Sequence, residues 1–105
     1  MKTKMKKRIS SFALTGVLAL GIVVPVFAAS VNVDGGVWDY GTSIVGFNQK
    51  KVYSNYLHNT KIHKASCSIG AHKNDSGWTQ AGMTAFSSAI GGWGDTTHAY
   101  YNVID

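Results

Sequence analysis

Val52-Tyr53-Ser54-Asn55-Tyr56-Leu57-His58-Asn59-Thr60-Lys61-Ile62-His63-Lys64-Ala65-Ser66-Cys67-Ser68-Ile69 is the stretch that decides the fold. Its side chains alternate with period two, the pattern of strands with two distinct faces. In the first half Val52, Ser54 and Tyr56 fall on one side, and Tyr53, Asn55 and Leu57 on the other. In the second half His63, Ala65, Cys67 and Ile69 share a face, opposite Ile62, Lys64, Ser66 and Ser68. Asn59-Thr60 reads as a tight turn between them, so the expectation is a β-hairpin. Tyr53 and Tyr56 point to opposite faces, and a two-layer fold hides at most one of them.

Working outward, the rest of the chain also reads as short strands broken by Gly, Asn and Ser. Val31–Val33, Val37–Tyr40, Ser43–Phe47 and His98–Ile104 carry β-branched and aromatic residues. Gly70 to Gly77 reads as a loop from its Lys73-Asn74-Asp75-Ser76-Gly77 cluster, and Gly91 to Asp95 as a second loop around Trp93. Trp78 to Ile90 permits a helix by its Ala, Met and Phe content, but Thr79, Thr84 and Ser87-Ser88 favour a strand, and helical spacing leaves no clean apolar stripe there. The expectation is an all-β fold: a small antiparallel β-sandwich of about six short strands, with no internal repeat and no interdomain linker.

The front of the chain is of another kind. Lys2, Lys4, Lys6, Lys7 and Arg8 come first, and no charge follows from Ile9 to Ala29. The strongly apolar core, about Phe12 to Phe27, is short for a spanning helix of ~20 residues. Pro25 sits near its end, and the small residues Ala28 and Ala29 follow it. A basic head, an apolar middle and a small-residue exit make a secretory signal peptide. The expected organisation is a signal peptide over 1–29, cleaved after Ala28 or Ala29, and one domain over 30–105 in a secreted, extracellular protein.

Cleavage changes the electrostatics. Within 30–105, Lys50, Lys51, Lys61, Lys64 and Lys73 balance Asp34, Asp39, Asp75, Asp95 and Asp105. The computed pI of about 9.5 therefore belongs to the precursor, and nucleic acid is not an expected partner. Only Lys50 to Lys73, free of acids and carrying His58, His63 and His72, is locally basic.

Catalytic signatures are missing. Glutamate is absent and the aspartates are scattered, so nothing pairs two carboxylates, and no nucleophile elbow occurs. His63, Cys67 and His72 have ligand chemistry, but positions 63 and 67 of one strand lie about 13 Å apart at ~3.3 Å per residue. Neither a metal nor another cofactor is expected. Cys67 has no intramolecular partner and reads as a small buried strand residue.

Ten aromatics remain in 30–105: Trp38, Tyr40, Phe47, Tyr53, Tyr56, Trp78, Phe86, Trp93, Tyr100 and Tyr101. A thin sandwich cannot hide them all. Most belong to the core or to cross-strand pairs; exposed Tyr or Trp suits sugar faces or a membrane interface.

Gly35-Gly36-Val37-Trp38-Asp39-Tyr40-Gly41 resembles the opening of mature lactococcin 972-type bacteriocins. Tyr53-Ser54-Asn55-Tyr56 with His58, Lys61, His63, Ala65 and Ser66 is similar to that family's centre, and Ala81-Gly82 and Tyr100-Tyr101-Asn102 to its later part. The resemblance runs from about Gly35 to Asn102. It implies a secreted antibacterial sandwich protein, not an enzyme. It further implies a homodimer that binds the cell-wall precursor lipid II and blocks septum formation. In the producing cell it implies a dedicated immunity membrane protein and an ABC transporter. Cys67 and the Gly70–Gly77 segment depart from the family pattern.

The candidate ligand-binding residues are Lys61, Lys64, Tyr53, Tyr56, His63 and Trp38. Lysines of the acid-free stretch suit phosphates, and the aromatic rings suit sugars. The competing readings are a non-killing, wall-associated carbohydrate-binding or adhesion module and a small secreted hydrolase.

Overall fold

The computed structural model describes residues 7–14, as backbone only, and residues 27–105; the signal peptide expected over 1–29 lies largely outside them. The strands are β1 (Lys7–Leu14), β2 (Phe27–Val33), β3 (Gly36–Gly46), β4 (Gln49–Leu57), β5 (His63–Ile69), β6 (His72–Asp75), β7 (Thr84–Gly92) and β8 (Thr97–Ile104). No described residue is helical. Two antiparallel four-stranded sheets form, ordered β1-β8-β5-β6 and β2-β3-β4-β7. This is the expected all-β antiparallel sandwich, with seven strands from Phe27 onward instead of about six.

Period two predicts the faces correctly. Val52, Ser54 and Tyr56 of β4 are buried, as are His63, Ala65, Cys67 and Ile69 of β5. The expected hairpin does not form. β4 pairs with β3 and β7, and β5 with β6 and β8, so the chain crosses from one sheet to the other between Leu57 and His63. The inward faces of β4 and β5 meet across the sandwich. The reason lies in His58. Its Nδ1 accepts N–H bonds from Thr60 at 3.2 Å and Lys61 at 3.0 Å, and its Nε2 lies 3.0 Å from the Asp34 carbonyl oxygen. The ring supplies partners that a two-residue turn would have to find in a ladder, and it anchors the crossover to the β2–β3 turn.

Further boundaries shift. Val37–Tyr40 and Ser43–Gly46 lie in the single long strand β3, with Phe47 in the turn after it, and the strand read from Trp78 begins only at Thr84. Gly70–Gly77 is not a loop throughout, because His72–Asp75 is β6, paired to Ser66–Ile69. Polar residues suit β6 because all four are exposed. The loop read over Gly91 to Asp95 begins two residues later, since β7 runs through Gly92.

Asp34-Gly35 forms the β2–β3 turn with φ of 49° and 85°, the doubly positive pair of a type I′ hairpin. Gly36 follows because a Cβ there would lie 2.5 Å from the Leu57 carbonyl oxygen. The core is aromatic. Trp38 stacks on Tyr40 at 4.1 Å, and Tyr101 lies 4.9 Å from Trp38 and 4.8 Å from Tyr56. Rings this large demand small residues opposite. β7 supplies them in buried Ala85 and Ser87, and it turns Phe86 and Ile90 outward. Polar bonds stitch the sheets together: Trp38 Nε1 donates to Ser54 Oγ, and Ser54 Oγ donates to the Tyr100 carbonyl on the other sheet, both at 2.8 Å.

Candidate functional site

The strand alternation that fills the core also builds a decorated outer face on the sheet β2-β3-β4-β7. The register sets its rows: Asp39, Asn55 and Phe86 lie side by side, then Gly41, Tyr53 and Ser88, then Ser43, Lys51 and Ile90. Tyr53 and Phe86 are thus diagonal neighbours on adjacent strands, within reach for aromatic side chains. Phe86 is 68% exposed. Asn74 leans in from β6 and donates through Nδ2 to the Ser88 carbonyl at 2.8 Å, which walls the face on one side. The result is a shallow cleft of about 260 Å³ lined by Lys51, Tyr53, Asn55, Asn74, Phe86 and Ser88.

Its chemistry is mixed by design of the alternation. Two rings offer apolar faces, two amides offer donors and acceptors, and Lys51 offers a cation with no ion pair among the described residues. Partial burial, with the Asp39 carboxylate close by, holds the Tyr53 phenol above its ordinary pKa, so it stays a donor. Such a surface can stack on a sugar ring, hydrogen-bond its hydroxyls and neutralise an adjacent phosphate.

The residues singled out by sequence divide by location. Tyr53 lies in this cleft. Trp38, Tyr56 and His63 are 0% exposed, inside the sandwich, where no outside ligand meets them. Tyr56 donates to the Val33 carbonyl at 2.9 Å, and burial, Tyr101 and Asp34 push its phenol well above the ordinary value. His63 sets Nδ1 2.8 Å from the Lys61 carbonyl oxygen and Nε2 2.7 Å from that of Met83, fixing the start of β5 to the turn before β7. Lys61 pairs with Asp105 beside the crossover. Lys64 lies on the outer face of the other sheet, 3.2 Å from Asp75 and with its amine 4.8 Å from the centre of the Trp78 ring. The two lysines are therefore not brought to Tyr53. Ala28 and Ala29 sit in β2, opposite Gly41 and Tyr40.

His63, Cys67 and His72 do not converge, and among the described residues no three His, Cys, Asp or Glu cluster for a metal. Cys67 is buried, and burial raises its thiol pKa against a hydrogen bond with Ser87 that lowers it. Phe86, Lys51, Asn55 and Asn74 were missed as site residues. A signal was present for Phe86: in Thr84–Ile90 the bulky residues alternate with Ala and Ser, so one face had to carry the large side chains.

Comparison with protein families matches residues 34–101 to the family described as Bacteriocin (Lactococcin_972). No curated protein and no solved structure matches the chain.

Proposed function

Since the chain belongs to the Lactococcin_972 bacteriocin family, we propose that it is exported and kills by binding lipid II, which blocks septum formation in related bacteria. Lipid II offers a pyrophosphate, two sugars and a peptide. The observation that carries the reading is the cleft of Tyr53, Asn55 and Phe86 with Lys51 at one end. The rings suit the sugars and the free ammonium suits the pyrophosphate. Lys61 and Lys64 are already engaged by Asp105 and Asp75, so the cationic contact falls to Lys51. Action by binding needs no catalytic group, in keeping with a family of bacteriocins.

The test is growth inhibition of a sensitive strain, with purified lipid II as competitor. Replacing Tyr53 and Phe86 together by Ala removes two rings, each worth about 1.5 kcal/mol or more on burial, so potency falls at least tenfold per ring. Killing that survives this double substitution with the near-UV spectrum intact refutes the cleft as the binding face. Wall binding without killing would favour the adhesion module.

A further inference from the structure

The tip of the β3–β4 hairpin is apolar where a solvated turn is normally polar. Ile44 and Val45 are 45% and 44% exposed, and Phe47 is 91% exposed. Ile90, 48% exposed, lies apart from them on the outer face of β7, beside Lys51. A single exposed apolar residue is ordinary; Ile44, Val45 and Phe47, within four residues at one end of a sandwich, are a patch. Asn48, with φ of 58°, turns the chain and leaves the Phe47 ring at the apex.

We propose that this tip is a membrane-docking element that enters the headgroup layer of an anionic phospholipid bilayer. Charge complementarity selects that occupant. The β3–β4 hairpin carries Lys50 and Lys51 toward its tip, and its one acid, Asp39, lies at the opposite end, paired with Asn55. Lys50 is buried, with its amine 5.4 Å from the centre of the Trp93 ring and Asp95 near it, so the solvent-facing cation is Lys51. At the tip the Asn48 carbonyl is satisfied by the main-chain N–H of Trp93 at 2.9 Å. An element of this kind lies with its apolar side chains about 5–10 Å into the headgroup boundary. Phe47 and Asn48 form the turn and Lys51 is the third residue of β4, about 7 Å along the strand from Gln49 at ~3.3 Å per residue, which sets its ammonium at the level of the lipid phosphates. The cleft of Tyr53 and Phe86 then stands just above the headgroups, where a lipid-linked ligand presents its polar part. That consequence rests on the proposed function; the docking itself does not.

The probe is therefore a vesicle without any wall precursor. Protein purified from the medium of producing cells is sedimented with vesicles of phosphatidylglycerol and phosphatidylcholine, and with phosphatidylcholine alone. The expected result is co-sedimentation that is stronger with the anionic lipid. Phe47→Ser should lower the partition coefficient about tenfold, the effect of exposing one large apolar side chain. Lys51→Gln should weaken binding to anionic vesicles only, and Lys73→Gln, on β6, should bind as the parent does. Substitutions at this exposed turn leave the near-UV spectrum unchanged. Absence of co-sedimentation, or equal binding by Phe47→Ser, overturns the proposal. So does a vesicle-free dimer that Phe47→Ser dissociates, since a second copy would then cover the tip. Failure of the cleft reading shows differently, as killing that survives loss of Tyr53 and Phe86 while vesicle binding persists.

Discussion

Ser54 and Tyr53 are chain neighbours on opposite faces of β4, and they should fail in opposite ways. The Ser54 hydroxyl is wholly buried, accepts from the Trp38 indole and donates to the Tyr100 carbonyl across the sandwich. Ser54→Ala deletes both bonds and adds no volume. A buried neutral hydrogen bond contributes about 0.5–1.5 kcal/mol net, so the pair contributes ~2 kcal/mol. In a domain of this size each kcal/mol moves Tm by about 4–8 °C, so the melt should drop by roughly 8–16 °C. Thermal unfolding followed by near-UV circular dichroism reads this directly, because Trp38, Tyr40 and Tyr101 pack around the bridge. Trp38→Phe in the same assay removes the indole donor, and the double variant should recover about 1 kcal/mol of the summed loss. Potency per folded molecule should be unchanged in Ser54→Ala. Tyr53→Ala, one residue away, should change Tm by only a few degrees while reducing potency. A Ser54→Ala melt within about 2 °C of the parent would refute the argument that polar bonds between the sheets hold this sandwich together.

Two other outcomes follow from buried titratable groups. Tyr56 is held neutral in the fold, so the stability it confers is fully present below pH 10 and is lost as pH rises toward its raised folded value, because the unfolded chain ionises first. Tyr53 acts in the same sense; Lys50, its pKa lowered by burial, acts in the opposite one. Urea midpoints should therefore fall between about pH 9 and 11, and Tyr56→Phe should start lower but fall less steeply. Cys67, 2% exposed and with its thiol pKa raised by burial, should resist an aromatic disulfide reagent in the native protein and react stoichiometrically in guanidinium; rapid native labelling would contradict its place in the core.

Faces were legible in the sequence because alternation is a local property: the buried residues of β4 and β5 follow from parity, with Ser68, buried on the opposite parity, as the exception. Partners were not. Two neighbouring strands with apolar faces satisfy the same pattern whether they lie side by side or face each other across a core; here the distant ladders to β3, β7 and β8 take both strands, and the His58 ring ties the crossover between them. β6 escaped notice because an exposed edge strand needs no apolar alternation. The cleft was half legible. Parity separated Tyr53 from Tyr56, but residue type alone drew Trp38, Tyr56 and His63 into the candidate set, although the core takes all three. Phe86 went unnoticed because large residues usually face inward; here the stack of Trp38, Tyr56 and Tyr101 reverses that order on β7.

The step between sheets after Leu57 also sets a timetable. A chain leaves the ribosome N-terminus first, and β2, β3 and β4 can pair as they emerge. β5 and β6 have only each other until β8, residues 97–104, arrives. The second layer thus lacks one of its two central strands until β8 is made, and Tyr101, which packs on Trp38 and Tyr56, arrives only with it. Such late, distant pairing is slow by nature. A chain cut before Thr97 leaves β5 with β6 alone in its sheet and opens the edge that β8 would have covered.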